Sequence, residues 1–458
     1  MRHTKKVKLQ TPLKGEKKRA SSPHPEKKAH QPMGKDVAPI PQTPKGKEKA
    51  IEGNSTPNSK REGKARDEEH PIPTSFKLVA GSYEKLLYGL DGFVTLNDES
   101  KLEFHLKPIF IFPAHVSCIK AVAASPQGGK WLATGSADEI IKVWDLRRRK
   151  EIGGLMHHEG SITHLLFPSR SHLLSASEDG SLCLFRARDW AVLRALKGHK
   201  GRINSVAVHP TGKVALSVGK DRTLRMWDLM RGKGVASTKL GKEGEIVRWS
   251  VDGSKFVVQS GSTMDVYATN MDPLHAITHP SRIHDVKFCK RVDGEGEILL
   301  VAAEDRKLYV YQVPTDSATP SIVAEMIGHQ NRVKAVQTLE MALPEASGRK
   351  STTIAATVSS DGFINVYDIA AIPSSSENPS GLPKTIEPQT SYDSKGTRLT
   401  CITLADGDAS SAPIAGSGKR KRDEDAEEEE GSEDDDDAYG ANLAEDEEQE
   451  DNEEEEEE

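Results

Sequence analysis

Residues 218–229 read VGKDRTLRMWDL and set Asp221 six residues before Trp227, with apolar side chains alternating between them. A carboxylate in that setting could serve as an acid–base catalyst, as a ligand-binding group, or as a post that ties down a turn. Repetition decides among the three. Asp138, Asp179, Asp305 and Asp361 stand in equivalent places, and each of the five aspartates has a histidine 21 to 32 residues upstream: His115, His158, His199, His279 and His329. A weaker copy begins at Phe256, where Lys242 stands in place of the histidine and Gly261 in place of the aspartate. The two are lost together. That is what a contacting pair predicts, because an aspartate buried without its histidine is an uncompensated charge. Four residues before the aspartates lie the hydroxyls Thr134, Ser175, Ser217 and Thr357, and ten residues beyond each hydroxyl lies an aromatic, as at Trp144 and Trp227. The set describes a hydrogen-bonded chain from aromatic through hydroxyl and imidazole to carboxylate. Val301 takes the hydroxyl's place before Asp305, so that copy is expected to have a broken chain. A catalytic acid is not expected five times in one chain. The aspartates are therefore read as structural, with Asp221 tying its turn to His199 and Trp227.

The elements that must position these residues follow from the same copies. LATGSADEIIKVWDL begins at Leu132, LLSASEDGSLCLFRA at Leu173, ALSVGKDRTLRMWDL at Ala215, LLVAAEDRKLYVYQV at Leu299 and AATVSSDGFINVYDI at Ala355. Their aromatic ends, with Tyr267 from the weak copy, are spaced by 41, 42, 40, 44 and 56 residues, the last stretched by an insertion. Each copy reads as an apolar strand, a turn at the aspartate and a second strand of period two, so the fold is predicted to be all-β. A period near these lengths points to a repeat architecture rather than to separate domains.

These residues resemble the WD-repeat family, whose repeats run from Gly-His to Trp-Asp and form four-stranded propeller blades with the tetrad inside. Gly-His stands intact at Gly198-His199 and Gly328-His329, and Trp-Asp at Trp144-Asp145 and Trp227-Asp228. One more half-repeat, LVAGSYEKLLYGL at 78–90, lacks a preceding strand, while RLTCITLAD at 398–406 has no blade after it. The complementary halves predict a seven-bladed WD40 β-propeller over residues 71–410, closed by a C-terminal strand at 398–404 that completes the first blade.

Charge separates the ends from this centre. Residues 1–66 carry 18 Lys or Arg against 6 acids, and residues 423–458 carry 24 acids and no base. Both are too charged and too poor in apolar residues to bury a core, so 1–70 is read as a disordered Lys-rich arm and 411–458 as a disordered tail. Within that tail Lys419, Arg420, Lys421 and Arg422 resemble a nuclear localisation signal. The four cysteines lie 65 or more residues apart, which gives no metal-binding or disulfide framework and suits a reducing, intracellular setting. His157, His158 and His164 lie close together, but imidazoles clustered on strands are more often structural than zinc-binding. With no P-loop, G-x-S-x-G or H-E-x-x-H stretch, neither enzymatic activity nor a cofactor is expected.

One surface is singled out by the repeat alignment. The residue before the first apolar position of each inner strand is Arg202, Arg282, Arg332 or Arg398 in four of the seven blades, the last three consecutive. Guanidinium groups so placed make a candidate partner-binding rim for phosphate or carboxylate. Read continuously, the centre is similar to the p21-activated-kinase-interacting-protein-like WD-repeat family, which includes the fungal maintenance-of-killer member. That resemblance implies a nucleolar, non-catalytic factor in assembly of the large (60S) ribosomal subunit, with pre-60S assembly factors and pre-ribosomal RNA as partners. It leaves a p21-activated kinase as the alternative partner, and the acidic tail adds histone binding as a third option. No membrane association is expected, and the chain is read as monomeric within a larger complex.

Overall fold

The computed structural model describes residues 71–407, apart from 100, 294–295, 315–317 and 374–381. The Lys-rich arm, the acidic tail and the basic run Lys419, Arg420, Lys421 and Arg422 lie outside the described residues. The described chain forms seven sheets, six of four antiparallel strands and one of five whose added edge strand is parallel. They are the blades of a seven-bladed β-propeller, numbered here 1 to 7 in chain order.

Blade 4 shows why the sequence folds this way. Its second strand, Val214–Gly219, is buried along nearly all its length, because it is sandwiched between neighbouring blades, and its run ALSV is accordingly continuous in apolar and small residues. The third strand, Thr223–Asp228, buries Leu224 on the face toward blade 5 and Trp227 on the face toward blade 3. The outer strand, Lys233–Lys239, is exposed throughout and lacks apolar patterning. The core is a ring rather than a single centre, since each hydrophobic cluster fills one interface between blades. Leu174, Leu184 and Leu196 of blade 3, for example, meet Ile203, Val206 and Trp227 of blade 4.

The ring closes through the two ends of the described chain. Leu399–Asp406 pairs antiparallel with Ser75–Ser82 and supplies the inner strand of blade 1, with Leu78 opposite Leu404 and Ala80 opposite Ile402. It is also tied to blade 2, where Thr400 Oγ1 donates to the Ile119 carbonyl at 2.6 Å and the Gly128 amide donates to Asp406. The described residues 382–396 of the long insertion after blade 7's third strand are built into two sheets. Lys384–Ile386 lies parallel to the outer strand Ser321–Met326 of blade 6, covering what would be an open sheet edge, and Thr390–Asp393 then becomes the outer strand of blade 7.

Candidate functional site

In blade 4 the turn at Asp221 is held by a continuous chain of bonds. Trp227 Nε1 donates to Ser217 Oγ at 2.7 Å, Ser217 Oγ lies 2.7 Å from His199 Nε2, and His199 Nδ1 lies 3.0 Å from Asp221 Oδ2. An ionised carboxylate only accepts, so Nδ1 carries the imidazole proton, Nε2 accepts from the serine hydroxyl, and the hydroxyl oxygen accepts from the indole. Asp221 also accepts from the Lys200 and Thr223 amides and from the Thr223 hydroxyl. Burial pushes the imidazole pKa of His199 down, against the pull of Asp221. Burial alone would raise Asp221, but the Lys200 amide, the Thr223 hydroxyl and His199 outweigh it and hold the carboxyl below its ordinary value.

Blade 2 repeats the arrangement with His115, Thr134, Asp138 and Trp144 at 2.8 to 3.0 Å. In blade 3 His158 joins Ser175 and Asp179 at 2.7 and 2.9 Å, and Phe185 leaves the serine without an indole. In blade 7 His329 Nε2 reaches Thr357 at 2.8 Å, its Nδ1 stands 3.4 Å from Asp361, and the Tyr367 hydroxyl donates instead to the Ile327 carbonyl. Blade 6 departs furthest among the five histidine copies. With Val301 offering no hydroxyl, the His279 ring is reversed: Nδ1 bonds the Tyr311 hydroxyl at 2.8 Å, and Nε2 faces Asp305 at 3.8 Å, beyond hydrogen-bond range. Tyr309 donates to Asp305 in its stead, at 2.6 Å.

Blade 5 closes the same hairpin with a turn one residue shorter: Gln259 pairs with Met264, whereas the equivalent Val218 pairs with Leu224. Counted back from the third strand, Gly261 stands where Asp221 stands, and Ser262, whose carbonyl accepts from the His279 amide as Arg222's accepts from Leu240, stands where Arg222 stands. The left-handed residue is Gly261 itself (φ +64°), whereas in other blades it is the one after the aspartate, as at Arg222 (φ +59°) and Arg306 (φ +72°). Lys242 has a partner of its own, Asp265 on the third strand, at 2.8 Å.

The four rim arginines differ in what they touch. Arg202 lies 3.6 Å from Glu178, Arg282 pairs with Glu245 at 2.9 Å, and Arg398 pairs with Glu84 at 2.8 Å while its guanidinium stacks on Tyr83. The Arg332 guanidinium makes no hydrogen bond or ion pair with the described residues. Strand alternation places His284 two residues after Arg282 and Lys334 two after Arg332, on the side of the strand that faces the central channel. Burial, then Lys334, Arg332 and Arg282, push the His284 pKa down to about 4, so its imidazole is neutral. Burial and the same arginines lower Lys334. Further in, Arg248 bonds Asp285 at 3.0 Å and Lys287 bonds Gln337 at 3.2 Å, in a channel of about 890 Å³. His164 faces this channel too, whereas its neighbour His158 is committed to blade 3's turn.

Residues 106–145, 149–186 and 190–228 match the WD domain, G-beta repeat family, three stretches that carry the networks of blades 2, 3 and 4. Over 294 residues the chain is 35% identical to a p21-activated protein kinase-interacting protein 1-like protein of Danio rerio, an alignment spanning 64% of this chain and 73% of the relative. Protein MAK11 of Saccharomyces cerevisiae is 30% identical over 370 residues, 72% of this chain and 83% of that one. Shk1 kinase-binding protein 15 of Schizosaccharomyces pombe is 29% identical over 298 residues, 64% of this chain and 77% of that one. The chain belongs to this family of WD-repeat proteins.

Against the WD-repeat pattern, sequence reasoning missed three functional groupings. His284 and Lys334 read as ordinary polar positions of inner strands and gain meaning only where the ring brings blades 6 and 7 side by side. Glu84 takes the aspartate's place in blade 1 and accepts from both the Arg398 amide and side chain, although Lys395 stands before Arg398 where His199 stands before Arg202. The Lys242–Asp265 pair was hidden because its acid lies on a strand rather than in the turn.

Proposed function

We propose that this chain is a non-catalytic WD-repeat scaffold that acts by docking in nucleolar assembly of the large ribosomal subunit. The observation that carries the reading is the division of labour among its charged groups. The aspartates and histidines at repeated positions are spent on turns inside the blades, while Arg332 and Lys334, which make no side-chain hydrogen bond or ion pair with the described residues, stand at the open end of the channel, where a partner can reach them. Membership of a family that includes Protein MAK11 directs this docking toward ribosome assembly. Arg202, Arg282, Arg332 and Arg398 are the rim positions offered to pre-60S factors or pre-ribosomal RNA. Nuclear entry is assigned to Lys419, Arg420, Lys421 and Arg422, so replacing all four with Ala should move a tagged protein toward the cytoplasm. Unchanged nuclear accumulation, with the N-terminal arm neutralised as well, would reject that assignment.

The names of relatives favour a second reading. Several are called p21-activated protein kinase-interacting proteins and one a kinase-binding protein, so the propeller is alternatively a kinase-binding regulator. Purification of the tagged full chain from nuclear extract separates the two. Large-subunit precursor RNA in stoichiometric recovery supports the scaffold, a protein kinase without that RNA supports the second reading, and core histones alone would overturn both.

A further inference from the structure

The basic end of the channel is lopsided. Blades 6 and 7 set His284 and Lys334 in the channel wall, with Arg282 and Arg332 near enough to lower the pKa of both, where the equivalent positions of blades 2 and 3 hold Cys118, Lys120, Ser161 and Thr163. Lys120 is neutralised by Glu178 at 2.9 Å. On the basic side Glu245 is committed to Arg282, and Arg332 has no partner among the described residues. Glu304 is the acid that acts on Lys334, and it leaves the charge of Arg332 unmet. Unmet positive charge beside a recessed lysine describes a vacant anion-binding surface.

The mouth is also recessed. Lys334 is half-buried, and Lys287 lies deeper between the inner strands. A carboxylate at the end of a flexible Asp or Glu side chain can reach such cations. The phosphates of a folded RNA, flanked by riboses and bases, are held further out.

We propose that this mouth docks the chain's own acidic run, residues 423–458, in the free protein. Charge complementarity is the first support: the run carries 24 acids and no base. Reach is the second. The closing strand ends at the channel's opposite face, since its start at Arg398 lies beside Tyr83 and its end at Asp406 beside Gly128. Its 8 residues span about 27 Å at strand geometry. The 15 residues from 408 to 422 extend to about 50 Å, and the acidic run itself to about 120 Å, at roughly 3.3–3.6 Å per residue. Tethering is the third, because it sets an effective concentration on the order of millimolar, at which individually weak ion pairs suffice. This inference does not rest on the ribosomal or the kinase reading, and it is tested on the purified full chain alone.

Zero-length carbodiimide coupling joins a lysine amine to a carboxylate that touches it. At low salt and dilute protein, mass spectrometry is expected to find Lys334 joined to acids of 423–458 at least five times more often than Lys200, an exposed lysine on the same face. The excess should vanish at 0.5 M NaCl and in an Arg282→Gln, Arg332→Gln variant, both exposed positions whose substitution leaves the melting temperature near wild type. In parallel, a labelled dodecaglutamate peptide should bind at least tenfold more tightly to a full-length chain whose tail acids are changed to Gln and Asn than to the wild type. Coupling of Lys334 to the tail at the Lys200 level would overturn the proposal. So would coupling that scales with protein concentration, which assigns the contact to a second copy. A single-stranded RNA probe that depends on Arg332 while tail coupling stays at the control level would also overturn it, assigning the mouth to nucleic acid.

Discussion

Blade 4 and blade 5 are neighbours built on one plan, and they hold their turns by opposite means. Blade 4 uses a buried relay from indole to an ionised carboxylate through a neutral imidazole, with four groups committed to one another and the imidazole side chain fully covered. Blade 5 has a turn one residue shorter, a glycine in the left-handed position, and a single ion pair between Lys242 and Asp265 whose lysine is 44% exposed. Both blades nonetheless share the same packing across the interface, where Leu216, Val218 and Leu224 meet Val247, Phe256 and Val258. Burial of the second strand is therefore what makes a blade, and the relay is a way of fixing a longer turn. Where the turn is short enough to close on itself, the relay is dispensable.

The largest effect should come from breaking the relay at its middle. Ser217→Val keeps the site buried, puts two carbons in place of one oxygen, and leaves Trp227 Nε1 and His199 Nε2 without partners in a dry interior. Each buried group left unsatisfied costs about 1–3 kcal/mol, so denaturant unfolding should show a loss of about 2–4 kcal/mol. Blade 6 carries Val301 at this position and tolerates it because the His279 ring reverses to meet the Tyr311 hydroxyl. Blade 4 has Trp227 there and cannot copy that solution. A loss under 0.5 kcal/mol would mean that the relay contributes nothing beyond packing.

Removing one charged partner from each blade gives the next comparison. Asp221→Ala strips the partner from His199, the Lys200 amide and the Thr223 hydroxyl, and should cost about 1–3 kcal/mol. Lys242→Ala removes a partly exposed ion pair, worth about 0–1 kcal/mol. Equal losses in the two variants would erase the distinction drawn between the blades.

Acid should find the relay blades first. The imidazoles of His115, His158 and His199 are pushed below their ordinary value by burial, so the folded protein keeps them neutral where the unfolded chain takes up protons. The unfolded state binds more protons below about pH 6.5, and stability falls as pH drops from there through the folded values. The aspartates act in the same direction at lower pH. Asp361, although burial opposes it, is held at about 2 by His329 and by the Phe363 and Gln330 amides, and its contribution is lost below the ordinary carboxylate range. Melting temperature should be flat above pH 7 and decline below pH 6.5. A Ser217→Val variant, with a relay already broken, should decline less steeply between pH 6.5 and 5.

Much of this architecture was legible from residue patterns, and the gaps have physical causes. The paired recurrence of histidine and aspartate located the turns, and two orphan half-repeats located the closing strand, because both are local signals repeated at fixed offsets. The reversed ring of His279 was not legible, since it depends on a hydroxyl 32 residues away arriving within 2.8 Å. The rim arginines were placed by alignment, but which of them is free depends on where Glu84, Glu178 and Glu245 fall. Those acids come from other strands and turns, and no period relates them to the arginines.

The smallest effect concerns Gly261 and tests the shorter turn of blade 5. An added Cβ there meets nothing within 4 Å, so an alanine is opposed by backbone conformation alone. The hydrogen bonds at this residue run through its carbonyl, which accepts from Gln259 Nε2 at 2.8 Å and from the Ile283 amide at 3.0 Å. A carbonyl survives any substitution. Gly261→Ala should therefore cost about 1 kcal/mol, the penalty of holding an L-residue in the left-handed region, with no bond lost. Gly261→Asn should cost less, because asparagine tolerates that region through local hydrogen bonding. The expected order of stability is glycine, asparagine, alanine, read from denaturant midpoints at unchanged m-value. If asparagine and alanine were equally harmful, the strain would lie elsewhere, and the two-residue turn would not be what closes blade 5.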